Sequence, residues 1–259
     1  MVVVITGASG GIGRSVVAKM LSREFKVLAL VKNKIGEASL LDYLAKKNVR
    51  VYNLYLICAD FCDASAIGDA LTCLEDFYKE FGEFGAFINC AGCYFKANNK
   101  TKDLNTSVNF TSALKIFYGV KPLMKNEARV IFLVPRIRKF DFVLNKPFMI
   151  SNLFLINDII NLAKKGDNLN YYFYSPRQSN TNFYSKNARG VLAIIGAVRK
   201  GFSMPPEYSA EQIVHIALRK EYAGVSGGFY FDNKIMTIPK VFDNKKFKEL
   251  ADKFSLSKL

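Results

Sequence analysis

The chain has 259 residues, half of them hydrophobic, and a formal net charge of +15 from 37 basic and 22 acidic side chains. That length suits one α/β sheet with helices on both faces, and the apolar share is enough for a large core. Its five cysteines, Cys58, Cys62, Cys73, Cys90 and Cys93, are an odd number in a large chain and argue against a disulfide framework. No apolar run approaches the ~20 residues that span a bilayer. The first strand begins at Val2, which leaves no room for a secretory signal, so a cytoplasmic location is expected. The excess of positive charge would suit a polyanion such as nucleic acid. The basic residues are scattered, however, with no run of five, and Lys, Asn, Phe and Ile abound while Trp is absent. Compositional bias is the better reading, and nucleic-acid binding stays a third alternative.

Strand and helix patterns alternate along the chain. Val2–Thr6 is a continuous apolar run, as a strand buried on both faces requires. Ile12–Arg23 has helical spacing, with Ile12, Val16, Val17, Met20 and Leu21 on one face. Lys26–Val31 reads as a second strand, Glu37–Lys47 as a helix and Val51–Cys58 as a third strand. A helix follows over Ala64–Phe81, then a strand over Gly85–Asn89. A long helix is expected over Lys102–Lys125 and a strand over Arg129–Val134. Phe148–Lys165 is helical and Leu169–Tyr174 an aromatic strand. Ala188–Lys200 and Ala210–Arg219 are further helices, Gly228–Phe231 a last short strand and Asn244–Leu256 a final helix. The order predicts an α/β fold: a single-domain, doubly wound parallel sheet of about seven strands. The polar stretches 175–187 and 200–209 are candidate lid loops over a site.

The first strand runs directly into Gly7-x-x-x-Gly11-x-Gly13, which opens a helix. Glycines permit a sharp turn and close approach of a pyrophosphate, and the helix N-terminus offers free N–H groups to that anion. The strand–turn–helix context makes this a dinucleotide-binding turn, with Gly7, Ser9, Gly10, Gly11, Ile12 and Gly13 as its contact residues. An acidic residue at the end of the second strand would hold a ribose 2′-OH and select NAD. Val31-Lys32-Asn33 stands there instead, so Lys32 and Asn33 favour the 2′-phosphate of NADP over NAD.

The T-G-x-x-x-G-x-G spacing resembles the short-chain dehydrogenase/reductase family. Asn89-Cys90-Ala91-Gly92 is similar to that family's N-N-A-G segment, which places Asn89, Ala91 and Gly92 at the cofactor. Asp60, with Phe61 beside it, matches the family's adenine-contacting Asp. Asn109 falls at its catalytic Asn, and Ser175-Pro176 with Thr181 resembles its P-G-x-x-x-T segment. Gly224–Phe231 is similar to the ending of retinol-dehydrogenase-like members. The resemblance implies a Ser–Tyr–Lys relay, in which a lysine four residues after the tyrosine lowers the phenol's pKa. Aligned on the fifth strand, those three places hold Pro135, Phe148 and Asn152. None of the three can supply the hydroxyl, the phenolic proton or the charge. Lys146, two residues before Phe148, is the nearest replacement for a lost acid.

The resemblance therefore implies an NADP(H)-binding protein without the usual catalysis. The alternative is an active, atypical NADP-dependent oxidoreductase of a carbonyl or alcohol using Asn109 or Lys146. Tyr43 and Lys47 also have the Tyr-x-x-x-Lys spacing, but on the adenosine side, and are a coincidence of spacing. The paired cysteines Cys90-x-x-Cys93 and Cys58-x-x-x-Cys62 raise zinc, yet Cys90 sits inside the N-N-A-G segment, and small buried thiols account for it better. No metal is expected. Single His215 on its helix is a packing or surface residue. The helix from Phe148 is apolar nearly all round, which, with the family's habit, implies a homodimer or tetramer through helices 102–125 and 148–165.

Overall fold

The protein is described from a computed structural model, which covers residues 1–94, 102–137, 147–177, 204–224, 226–232, 234–237, 242 and 247. The strands are β1 (Val2–Thr6), β2 (Lys26–Val31), β3 (Leu54–Cys58), β4 (Phe84–Asn89), β5 (Met124–Leu133), β6 (Asn170–Tyr174), β7 (Gly228–Phe231) and β8 (Lys234–Met236). They form one eight-stranded sheet in the order β3-β2-β1-β4-β5-β6-β7-β8. Every pair from β3 to β7 is parallel, and only β7 and β8 run antiparallel, with Phe229 opposite Met236 and Phe231 opposite Lys234. The chain thus builds the expected doubly wound sheet, with eight strands where about seven are expected. The added edge strand is three exposed residues long and carries no apolar alternation, so its sequence has no strand signal.

Helices α1 (Gly11–Leu21), α2 (Lys34–Lys46) and α7 (Pro206–Leu218) cover one face. Helices α3 (Ala64–Phe81), α5 (Ala113–Val120) and α6 (Pro147–Lys165) cover the other. Buried on both sides, the central strands need apolar side chains pointing both ways, and β1, with all five residues buried, reads Val-Val-Val-Ile-Thr. Strand alternation then divides the core. Val2 and Val4 pack with α3, α5 and α6, while Val3 and Ile5 pack with α1 and α7.

The expected long helix over Lys102–Lys125 is broken. A short helix α4 (Lys102–Thr106) passes into a π-helical segment over Ser107–Ser112, then into α5, and the chain leaves the helix at Lys121-Pro122. Proline cannot extend a helix that reaches it from the N-terminal side without losing a hydrogen bond. Strand β5 accordingly starts at Met124, five residues before the expected Arg129, with Met124 beside Phe84 and a register shift that Glu127, at φ 61°, absorbs. Part of the second candidate lid is also helical, since residues 206–209 form the first turn of α7. The helix expected over Ala188–Lys200, all but Phe247 of the helix expected over Asn244–Leu256, and most of the 175–187 loop lie outside the described residues. So do Lys146 and Thr181.

Candidate cofactor and active site

The carboxyl ends of β1 and β4 are tied together by side chains. Thr6 donates its hydroxyl hydrogen to Asn89 Oδ1 at 2.7 Å, and the Ala91 N–H donates to Thr6 Oγ1 at 3.1 Å. Both residues are fully buried, so each polar group needs this partner. The pin brings the β4 loop against the turn after β1. A Cβ at Gly7, which lies at φ +61°, would come within 2.6 Å of the Ala91 nitrogen. A Cβ at Gly13 would fall 2.2 Å from the Gly7 carbonyl oxygen. No other residue fits either place. Gly10 caps α1 with no side-chain hydrogen bond, so the first N–H groups of the helix stay available to an anion. Gly11 and Ile12 open that helix, and Ile12 rests partly buried on the core. Ser9 sits at the N-terminus of α2, where its Oγ would lie 2.9 Å from a Cβ on Gly36.

The next residues out belong to β2 and β3. Asn33 caps α2, its Oδ1 accepting the Gly36 N–H at 3.0 Å. Lys32 Nζ stands 3.3 Å from the Asp60 carboxylate, with both side chains substantially solvated. Asp60 also accepts the Cys62 N–H at 3.0 Å. Phe61 is buried, and its carbonyl accepts the Ser112 hydroxyl at 2.7 Å, tying this loop to the π segment. Sequence reading assigned Lys32 and Asp60 separate ligand contacts; the structure couples them as an ion pair.

Asn109 holds the loop after β4. Its Oδ1 accepts the Cys93 N–H at 2.8 Å while its Nδ2 donates to the Cys93 carbonyl at 2.9 Å. Asn109 lies in the π segment, so the widened helical turn carries the amide that makes this pair of hydrogen bonds. A buried Ser151 hydroxyl on α6 is 3.5 Å from the same Nδ2 and donates to the Phe148 carbonyl at 2.9 Å. Phe148 and Asn152 are both buried in α6, and Asn152 Nδ2 donates to the Phe148 carbonyl at 2.7 Å. The asparagine amide is closed back on its own helix. Pro135 follows β5 and is half-buried. Tyr94 brings its ring edge-on to Phe148 at 5.5 Å between centroids. Sequence reading passed over Tyr94 because it follows the Asn89-Cys90-Ala91-Gly92 segment by two residues and belongs to no motif.

Burial pushes the Cys90 and Cys93 thiols up to about 12, so both are protonated, inert thiols at neutral pH. Among the described residues no three His, Cys, Asp or Glu side chains gather as a metal site would need.

The sequence profile of the short chain dehydrogenase family matches residues 1–135, from β1 to the end of β5. The chain belongs to the short-chain dehydrogenase family. Its fold is similar to that of a dehydrogenase/reductase from Sinorhizobium meliloti 1021, with a TM-score of 0.71 at 18% identity, covering 88% of this chain and 91% of that one. It is similar also to a glucose/ribitol dehydrogenase from Brucella melitensis (TM-score 0.74, 16% identity, 92% and 97% covered). A third likeness is to the apo form of glucose dehydrogenase from Caenorhabditis elegans (0.68, 20%, 88% and 93%). At these identities the likeness is one of fold. No curated protein matches the sequence. Short-chain dehydrogenases bind nicotinamide dinucleotides, and the cradle of Gly7, Gly13 and the open end of α1 has the form such a pyrophosphate needs. Among the described residues no helix is long and apolar enough to cross a membrane.

Proposed function

We propose that the protein binds NADP(H) and lacks the family's standard proton relay. One contrast carries this reading: two glycines in the turn leave no space for any side chain, while the helix across the cleft presents Phe148 and an Asn152 whose amide is already spent on the Phe148 carbonyl. When bound, the nicotinamide supplies or accepts a hydride. Around it this chain's residues bind and orient. The α1 N-terminus holds the pyrophosphate, Ser9 and Asn33 flank the adenosine side, and Asn89, Ala91 and Gly92 border the nicotinamide side. Lys32 prefers a ribose 2′-phosphate, because no carboxylate occupies the end of β2 and a phosphate dianion outcompetes the solvated Asp60 for it. At the reacting centre Pro135, Phe148 and Asn152 offer no proton. The role is then cofactor binding, sensing or scaffolding.

Titration with NADPH and NADH, followed by nicotinamide fluorescence and thermal shift, tests the reading. Tight NADPH binding that falls at least tenfold in Lys32→Ala, with NADH little changed, supports it; equal, weak binding of both sinks it.

A second reading, an atypical oxidoreductase, rests on the ring contact of Tyr94 with Phe148. A phenol standing in the wall of the cleft would act as the proton donor that Phe148 is not, with Asn109 holding its loop in place. Turnover that disappears in Tyr94→Phe while NADPH affinity stays the same would select it.

A further inference from the structure

A parallel sheet takes its ligands beyond the carboxyl ends of its strands. The ends of β5, β6 and β7, past the nucleotide wall, carry a second set of polar groups. Tyr174 of β6 pairs with Tyr230 of β7, and the Ser175 N–H donates to the Tyr230 carbonyl at 2.9 Å, so Ser175 lies beside Phe231. Strand alternation puts both on the face of α6, where Phe173 and Phe229, two residues earlier, stack on each other. The end of β5 joins them. The Val134 N–H donates to the Tyr174 carbonyl at 3.0 Å, and Val134 and Ile137 pack into the core on the α6 side. Between them Arg136 lays its guanidinium over the Phe231 ring, 4.1 Å from the ring centre. Arg136 is exposed and has no carboxylate partner among the described residues. The other guanidinium of this corner, Arg177, is 6.0 Å from the same ring centre and is ion-paired with Asp232. Ser175 is 7% exposed, and its hydroxyl has no hydrogen-bond partner among the described residues.

We infer that this corner binds an organic anion, a carboxylate or a phosphate monoester, and that Arg136 is the residue that selects it. A guanidinium lying over an aromatic ring is held in place, and its N–H edge stays free for two oxygens of a carboxylate or phosphate. Little rotamer freedom is then left to lose on binding. Asp232 cancels the charge of Arg177, so one net positive charge remains at the corner, that of Arg136. The unpaired Ser175 hydroxyl adds a hydrogen-bonding group on the same face. The anion is not a phosphate of the dinucleotide. Strand β7 lies four strands from β1, about 19 Å at ~4.8 Å per strand, whereas the pyrophosphate belongs at the α1 N-terminus beside β1. The inference deepens the NADP(H) reading and rests on it only in taking the anion to be a second ligand beside the cofactor. One residue from Pro135, which offers no proton, the fold thus still recognises charge.

Calorimetry at low ionic strength with benzoate and with phenyl phosphate, against neutral benzamide, tests it, both in the free protein and with saturating NADPH. At least one of the two anions should bind about tenfold or more tighter than benzamide, and the better one identifies the oxyanion that the site takes. Arg136→Gln should remove that preference, while the melting temperature and the NADPH affinity, read by nicotinamide fluorescence, stay unchanged. Asp232 sits at φ 50°, a backbone that asparagine tolerates, so Asp232→Asn releases Arg177 without strain and should tighten anion binding severalfold. Equal affinity for the anions and benzamide, or an anion preference that survives Arg136→Gln, overturns the inference. NADPH binding found absent while the Arg136-dependent preference is intact supports the anion site and strikes the cofactor reading alone.

Discussion

The two walls of the cleft have been kept to different standards. On the nucleotide side, from β1 to the loop after β4, Thr6, Asn89 and Ala91 tie the two strand ends together and two positions admit only glycine. On the side of α6, the helix is as well packed, but its buried polar groups face inward. Asn152 and Ser151 both donate to the Phe148 carbonyl, and Ser151 also lies 3.5 Å from the Asn109 amide. Both walls are well packed, but Pro135, Phe148 and Asn152 themselves offer no titratable group. Binding and chemistry are therefore separable in this fold: a cradle needs shape and N–H groups, and a relay needs titratable groups at a few fixed places.

The comparison breaks first at Gly13. Gly13→Val puts a branched side chain where a single Cβ already lies 2.2 Å from the Gly7 carbonyl oxygen. Dinucleotide binding should be lost entirely in calorimetry, with a melting temperature several degrees lower, at a cost of roughly 1–3 kcal/mol or more. Asn89→Ala comes next. It strands the buried Thr6 hydroxyl, so stability should drop by about 1–3 kcal/mol in urea unfolding, and NADPH affinity should fall with it as the β4 loop loosens. By contrast Asn152→Leu on the opposite wall should leave NADPH affinity within about twofold, since that amide donates back to the Phe148 carbonyl of its own helix.

A smaller effect concerns the anchoring of α7. Lys19 holds the Glu211 carboxyl below its usual value, with Arg23 and His215 adding to it. A lowered folded pKa means stability present above the unfolded value of 4.5 and lost as pH falls through the folded one. Glu211→Gln should therefore cost at most ~1 kcal/mol at neutral pH, and the difference from the intact protein should vanish in acid. The mildest test is chemical. Exposed Cys58 and Cys73 should react fastest with a thiol reagent at neutral pH, Cys62 more slowly because burial and Asp60 push its thiol up, and the half-buried Cys90 and Cys93 slowest of all until the protein unfolds.

The nucleotide wall was legible in the sequence because its devices are local. A glycine at a fixed offset from a strand end states its own reason. The sheet order followed from the alternation of apolar runs. The π segment did not show, since the sequence reads as one continuous helix there; within it Asn109 bonds the backbone of Cys93, sixteen residues away, a contact no local spacing announces. The early start of β5 was hidden for a similar reason. Lys125 reads as a helix end and Asn126 and Glu127 as a polar link, and only pairing of Met124 with Phe84 brings them into the strand. The Lys32–Asp60 ion pair joins two strand ends, which no spacing along the chain reveals. The meeting of Tyr94 with Phe148 is likewise a product of the tertiary fold.

The separation of binding from chemistry is tested most directly by one titration followed by one addition. NADPH is bound to the protein to saturation, and a panel of aldehydes, ketones and quinones is then offered while the reduced-nicotinamide absorbance is followed. Saturable binding with an absorbance that stays constant is the predicted result. Steady oxidation of the bound NADPH that depends on one of those substrates would contradict it.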